Sequence, residues 1–429
     1  MKKTFFLLWA VFITATTLVA QSELDIHLFE LPDVTFRPIP APKGFEAAYE
    51  LMVKQPLDHQ HPEKGFFHQR VFLSHAGFDR PNVIITEGYN RPSNRIYELS
   101  ALLGANQIDV EHRYFGASLP ENAGDYTFLS LEQATADLHR IRTLLGQIYQ
   151  EDWVATGISK GGQTTIFYRY FYPGDVTVSV PYVAPLNLDL EDKRIYTFLN
   201  SVGTPECRKA IHDLQVRLLK ERDKAMPLLR WHAKGAGVTF DYLGFDAAYE
   251  YAVLEYSFSF WQNGHACGDI PGKNADLETV LEHFVSVSGL DFFSDESMTG
   301  YASHYYQAGT QMGYYSYDTE PFKGHLKALS YNPNPSAIFM PDKKQAPFDP
   351  TLVRNVSEWL KKNGSHFIYI YGSTDTWSAT AVPPSGQTNS VWFMMEGKSH
   401  SGARIANMTE EEKTLLINTL EQWLERDID

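Results

Sequence analysis

Trp153-Val154-Ala155-Thr156-Gly157-Ile158-Ser159-Lys160-Gly161-Gly162-Gln163-Thr164 is a short apolar run that stops at a glycine, presents a serine, and continues in a helical pattern to Tyr172. That is the signature of a nucleophile elbow, in which a strand turns sharply into a helix and exposes one serine at the bend. Glycines on either side of Ser159 are required there, because a side chain would collide with backbone where the chain doubles back. The setting matters more than the pentapeptide, and the sequence on either side of it supplies that setting.

Upstream and downstream, strand-like runs bounded by Gly, Pro or Asn alternate with helical patterns. They are Leu51–Val53, Arg70–Leu73, Val83–Thr86, Gln107–Glu111, Trp153–Thr156 and Val178–Val183. This alternation predicts an α/β fold with a mostly parallel sheet flanked by helices. Leu131, Ala134, Leu138, Ile141, Leu145 and Ile148 recur at spacings of three and four, which predicts an amphipathic helix with Ser130 as its N-cap. From about Leu190 to Ser330 charged, aromatic and helical stretches replace β-branched runs, so this segment reads as an inserted helical cap. Strand character returns at His366–Tyr371 and Val391–Met395. The chain closes with a helix over Glu410–Asp427, opened by a Thr409/Glu412 capping box. The expected organisation is a catalytic domain formed by 21–189 and 331–429 around a cap at 190–330.

A serine hydroxyl needs a histidine base, and the histidine needs a carboxylate to orient it. In a fold with this elbow the chain order is serine, acid, histidine. The strand ending at Tyr371 leads into Gly372-Ser373-Thr374-Asp375-Thr376-Trp377, which makes Asp375 the candidate acid. The next strand runs into Glu396-Gly397-Lys398-Ser399-His400-Ser401-Gly402, which makes His400 the candidate base. An oxyanion needs donors: one is the N–H of Lys160, the residue after the nucleophile. The second belongs to the loop Thr86-Glu87-Gly88-Tyr89-Asn90, as Gly88 or Tyr89.

The 429 residues are 43% hydrophobic and 14% aromatic, a composition that excludes disordered and collagen-like chains and supplies a sizeable core. Lys2 and Lys3, an apolar run from Phe5 to Val19 and the small Ala20 read as a signal peptide over 1–20, so the chain is expected to be exported to the periplasm or beyond. Losing those two lysines takes the net charge from −15 to −17, a balance that disfavours nucleic acid as a partner. No later run is long and apolar enough to span a membrane. Cys207 and Cys267 are the only cysteines, and in an exported chain a bridge between them is the expectation, with free thiols as the alternative.

The elbow run, its continuation Tyr170-Phe171-Tyr172-Pro173, and Pro181-Tyr182-Val183-Ala184-Pro185 resemble the secreted tripeptidyl aminopeptidases, serine peptidase family 37. Val110-Glu111-His112-Arg113-Tyr114-Phe115-Gly116 and Gln55-Pro56-Leu57-Asp58-His59 are similar to the prolyl carboxypeptidase and dipeptidyl peptidase lineage, a sister group. The resemblance covers about Leu51–Ala184 and the Asp375 and His400 loops; the cap carries no matching motif. It implies an α/β-hydrolase fold, a Ser159–Asp375–His400 triad and release of short peptides from free N-termini, often with proline beside the cut bond. Such an exopeptidase must recognise a substrate ammonium, for which a carboxylate near the pocket is the usual means. Glu87 and Glu111, both following strands, are the candidates. Glu111 has the alternative of pairing with Arg113 or another cation. Trp377, Tyr114 and Phe115 either wall a proline pocket or pack in the core.

His59-Gln60-His61 lacks both a helical spacing and a third ligand, so no metal site and no cofactor are expected. Gly397-Lys398-Ser399 resembles the end of a P-loop, but Trp392 stands where its first glycine belongs. Asn355, Asn363 and Asn407 begin glycosylation sequons, relevant only in a host that glycosylates. The competing readings are a carboxylesterase, which needs no ammonium site, and an inactive hydrolase fold serving as a binding module. Oligomeric state and the exact peptide preference are not legible.

Overall fold

The computed structural model describes residues 22–329, 338–343 and 346–428. The signal sequence expected over 1–20 lies outside them. One sheet runs through the protein, made of β1 (Val34–Ile39), β2 (Ala47–Pro56), β3 (Phe66–His75), β4 (Asn82–Thr86), β5 (Asn106–Val110), β6 (Trp153–Ile158), β7 (Val178–Tyr182), β8 (Ile368–Gly372) and β9 (Val391–Met395). Their order is β1-β2-β3-β5-β4-β6-β7-β8-β9. The first three strands and the β3–β5 pair are antiparallel, and every pairing from β5 to β9 is parallel.

The parallel strands β4 to β8 are buried on both faces, as helices on each side require, while the edge strand β9 is partly exposed. Val83 and Ile85 point to one side, where Leu416, Leu420 and Trp423 of the helix Glu410–Leu424 pack. Ile84 points to the other, with Leu138, Ile141 and Leu145 of the helix Leu131–Leu145. Ser130 caps that helix by accepting from the Gln133 N–H, and Thr409 and Glu412 form the reciprocal capping box. The last helix stops at Leu424, three residues short of the sequence expectation, because Glu425 takes a left-handed φ of 48°.

β1 has no counterpart in the sequence reading. It is a half-exposed edge strand carrying Arg37 and Pro38, and a strand with one free edge tolerates both without giving an apolar alternation.

Between β7 and β8 the described chain is helical, with Pro205–Lys220, Arg222–Ala236, Phe245–Asn263 and Leu277–Ser288 as its longest elements. Phe245–Asn263 is buried on nearly every side, from Ala248 to Trp261, as a helix enclosed by other helices must be. A disulfide joins Cys207 in the first of these helices to Cys267 just beyond the third. This segment shares a continuous apolar cluster with Ile166 and Phe167 of the helix that follows β6, and with Tyr369 and Tyr371 of β8.

Candidate active site

The chain changes direction around β4. β5 lies on one side of it and β6 on the other, so the loops leaving the carboxyl ends of β4 and β6 diverge and leave a crevice between them. Ser159 stands at the carboxyl end of β6 with φ 60° and ψ −122°, and the helix Lys160–Phe171 starts at the next residue. A β-carbon on Gly157 would lie 2.4 Å from the Gly161 backbone, and one on Gly161 would lie 2.6 Å from the Thr86 carbonyl. The helix therefore approaches β4 and β6 more closely than any side chain allows, and the strained serine is held by that packing.

Asp375 lies in the loop after β8, fully buried, and caps the short turn Thr376–Thr380 by accepting from the Trp377 N–H at 3.1 Å. Its other oxygen is 2.7 Å from His400 Nδ1. A carboxylate only accepts, so this contact places the imidazole proton on Nδ1 and leaves Nε2 with its lone pair. The two loops are tied by Thr374, whose N–H and hydroxyl both donate to the Lys398 carbonyl at 3.1 and 2.9 Å. The His400 N–H donates to the Gln262 carbonyl at 3.0 Å, so the histidine loop is fastened to the end of the buried helix Phe245–Asn263.

Lys160 is fully buried. Its Nζ donates to the Gly88 carbonyl at 2.6 Å and lies over the rings of Tyr89 and Phe115, at 5.1 and 4.8 Å from their centroids. Burial pushes its ammonium well below the usual lysine range. The Tyr89 carbonyl in turn accepts from the His112 N–H at 3.1 Å. Among the described residues the N–H groups of Gly88, Tyr89 and Lys160 have no acceptor. Lys160 and the loop after β4 thus form one unit beside Ser159.

A cavity of about 470 Å³ opens on Ser159. It is lined by Lys160 and Tyr89, by Gln163 and Asn187, by Trp377, and by residues of the helical segment that include Glu255, His304 and Tyr314. Trp377 packs against Phe258 and Tyr315, with ring centroids at 5.2 and 5.4 Å. Tyr114 and Phe115 do not reach this cavity and pack in the core.

Neither acid expected to meet a substrate amine lines the cavity, which corrects that expectation. Glu87 is engaged by Arg91 and the Tyr97 hydroxyl, with Arg95 at 3.7 Å. Glu111 is wholly buried. One oxygen accepts from Arg70 Nη2 at 2.5 Å and the Arg91 N–H at 2.8 Å, and the other from the Ala117 N–H and Ser118 hydroxyl at 2.9 and 2.7 Å. Its cation is therefore Arg70, with neutral donors of its own loop completing the shell, while Arg113 is bound to Asp137. Both carboxylates are consumed in building the loops after β4 and β5.

The carboxyl group that does line the cavity is Glu255, which the sequence reading passed over. It is 3% exposed and accepts from Ser259, Tyr315 and Tyr317 hydroxyls at 2.8, 2.7 and 2.8 Å. The available signal was an acid set in the aromatic run Tyr249-Glu250-Tyr251-Ala252-Val253-Leu254-Glu255-Tyr256-Ser257-Phe258, with a serine four residues on. Glu250, the other acid of that run, pairs with Arg222.

A parallel sheet with an elbow serine after β6, a loop carboxylate after β8 and a loop histidine after β9 defines an α/β-hydrolase. The chain belongs to the PS-10 peptidase S37 family, whose sequence profile matches residues 30–425, and it is a serine peptidase. It is 31% identical over 418 residues to a prolyl tri/tetrapeptidyl aminopeptidase of Streptomyces mobaraensis, covering 95% of this chain and 86% of that one. Among solved structures it is similar to VinJ, at 12% identity and a TM-score of 0.40 over 91% of this chain and 98% of that one. A proline iminopeptidase of Mycobacterium smegmatis has 15% identity and a TM-score of 0.38 over 87% and 99%.

Proposed function

We propose that this chain is an exported aminopeptidase that releases tripeptides or comparably short peptides from free N-termini, accepting proline beside the cut bond, through an acyl-enzyme on Ser159. The observation that carries this reading is the Asp375–His400 pair, 2.7 Å apart on the loops after β8 and β9, following an elbow serine that opens into a bounded cavity. The name of the Streptomyces relative supports the peptide length and the proline preference.

In this mechanism His400 Nε2 takes the Ser159 hydroxyl proton as the oxygen attacks the scissile carbonyl, and Asp375 stabilises the resulting imidazolium. The negative oxygen of the tetrahedral intermediate is met by the Lys160 N–H and by the N–H of Gly88 or Tyr89. Collapse breaks the C–N bond, with His400 returning its proton to the leaving amine. Water, activated by the same histidine, then releases the peptide from Ser159. The helical segment over 190–330 acts as the roof that excludes folded chains from this reaction.

A panel of di-, tri- and tetrapeptide anilides, each with free and N-acetylated amines, together with simple esters, tests the reading. Preferential cleavage of unblocked tripeptides is the expected result. Equal turnover of blocked peptides favours an endopeptidase, and turnover of esters alone favours a carboxylesterase. Sequencing the N-terminus of the exported protein checks cleavage after Ala20.

A further inference from the structure

An aminopeptidase of this kind must hold a cation at the far end of its substrate, yet Glu87 and Glu111 are both occupied elsewhere. Glu255 differs from them in one respect. Its partners are three neutral hydroxyls, from Ser259, Tyr315 and Tyr317. Among the described residues no lysine, arginine or histidine nitrogen comes within ion-pair distance of it. An ionised carboxylate buried without a cation is costly, and the cost is removed when a ligand brings the missing charge.

The surroundings fit an ammonium followed by a peptide. Aromatic side chains crowd the carboxylate: Tyr315 stacks on Phe258 at 4.0 Å and packs edge-on against Tyr317 and Trp377, giving ring faces that favour a cation. Lining the same cavity are five buried polar side-chain atoms without a partner among the described residues: Gln163 Nε2, Asn187 Oδ1, Ser288 Oγ, His304 Nδ1 and Tyr305 Oη. They include both donors and acceptors, as the alternating N–H and C=O groups of a short peptide backbone would require. A cavity of about 470 Å³ is within the range that encloses a small ligand.

Resting on the aminopeptidase reading, we propose that Glu255 is the anchor for the substrate's N-terminal ammonium, with Gln163, Asn187, His304 and Tyr305 pairing with the peptide backbone between that anchor and Ser159. The helical segment then sets specificity through one carboxylate on its most buried helix. The number of residues released follows from the span between Glu255 and the nucleophile.

The experiment compares an unblocked tripeptide anilide with its N-acetyl counterpart in wild type, Glu255→Gln and Glu255→Asp, with fluorophosphonate labelling of Ser159 reporting an intact fold. For Glu255→Gln the expected result is a loss of roughly thirty-fold or more in kcat/KM on the free peptide, carried mainly by KM, with the acetylated peptide nearly unchanged. Should that variant fail to label, Glu255→Asp is read in the same way, since withdrawing the carboxylate by one methylene also narrows the preference. A wild-type preference for the free amine that persists undiminished in the labelled variant overturns the anchor alone. Equal cleavage of both peptides by the wild type overturns the aminopeptidase reading and the anchor with it.

Discussion

The Lys160 side chain holds the Gly88 carbonyl, with Nζ 2.6 Å from the oxygen. Carbonyl and N–H project in opposite directions across a trans peptide, so fixing the Gly88 oxygen toward Lys160 turns the Tyr89 N–H away from it. In the proposed mechanism, the residue that supplies one oxyanion donor from its backbone thereby orients the other through its side chain. Substituting Lys160→Met keeps the backbone N–H and most of the packing on Tyr89 and Phe115 but releases the Gly88 peptide. Since deleting an oxyanion donor outright costs about a hundred- to a thousand-fold, misorienting one should lower kcat by about ten- to a hundred-fold. Steady-state kinetics on a tripeptide anilide should show KM changing by less than about three-fold. A variant with normal kcat would remove Lys160 from any positioning role.

Removing the Ser159 hydroxyl in Ser159→Ala should abolish fluorophosphonate labelling and leave the melting temperature within a few degrees of wild type, because the backbone strain at that site is imposed by glycine packing and not by the hydroxyl. Asp375→Asn is the sharper test of the dyad. The amide can donate to His400 Nδ1, which forces the proton to Nε2 and leaves no base facing the serine, so kcat should fall by about 10⁴-fold with the fold intact. Near-normal turnover in this variant would mean that another carboxylate orients the base.

The parts of this protein that were legible in its sequence are those where one local rule and the tertiary environment agree. The helix Leu131–Leu145 has a serine cap and a single apolar stripe, and both persist. The elbow is legible because only glycine tolerates its contacts. Chain order singles out Asp375 and His400 as the acid and histidine of the loops after β8 and β9, and the structure brings those two side chains within 2.7 Å of each other. Glu87 and Glu111 misled because adjacency to a strand end says nothing about which cations the fold will bring up: Arg70 reaches Glu111 across the β3–β5 pairing, a contact between residues 41 positions apart. Glu255 was hidden for the converse reason. An acid in an aromatic helix is informative only once Tyr315 and Tyr317, sixty residues later in the chain, are known to surround it.

The Cys207–Cys267 bridge closes a loop with a sequence separation of 60 residues, for which the chain-entropy estimate is about 4 kcal/mol of stabilisation. Its second cysteine lies just beyond Gln262 and Asn263, which line the cavity, and Gln262 holds the His400 N–H. The double variant Cys207→Ala/Cys267→Ala should therefore show a lower urea midpoint and also a higher KM, as the wall of the site loosens. Adding a thiol reductant to the wild type should reproduce both effects. An unchanged midpoint would show that the bridge adds nothing to the fold.

The cavity carboxylate should leave opposite marks on stability and on substrate binding. Burial raises the Glu255 carboxyl from an ordinary 4.5 to about 7, against the pull of the Tyr315, Ser259 and Tyr317 hydroxyls. In the empty enzyme the folded state therefore holds a proton that the unfolded state has released between about pH 4.5 and 7. The contribution is full below pH 4.5 and is lost as pH rises through 7, amounting to about 3 kcal/mol. The groups around it do not change charge in this window: Tyr305, Tyr314, Tyr315 and Tyr317 are pushed well above the usual tyrosine range by burial, and His304 well below the histidine range by burial and then by Lys160. Glu255→Gln should consequently flatten the pH dependence of the wild-type unfolding free energy by about that amount, measured by urea titration at pH 5, 6, 7 and 8. Binding runs the other way. An ammonium requires the ionised carboxylate, so the ratio of kcat/KM for a free tripeptide to that for its N-acetyl form should climb as pH rises toward 7, by about ten-fold per unit, and level off until the substrate amine itself titrates near 8. Taking the ratio removes the triad's own titration, which both substrates share. A wild-type ratio independent of pH between 5 and 7 would show that Glu255 does not meet the amine in its charged form.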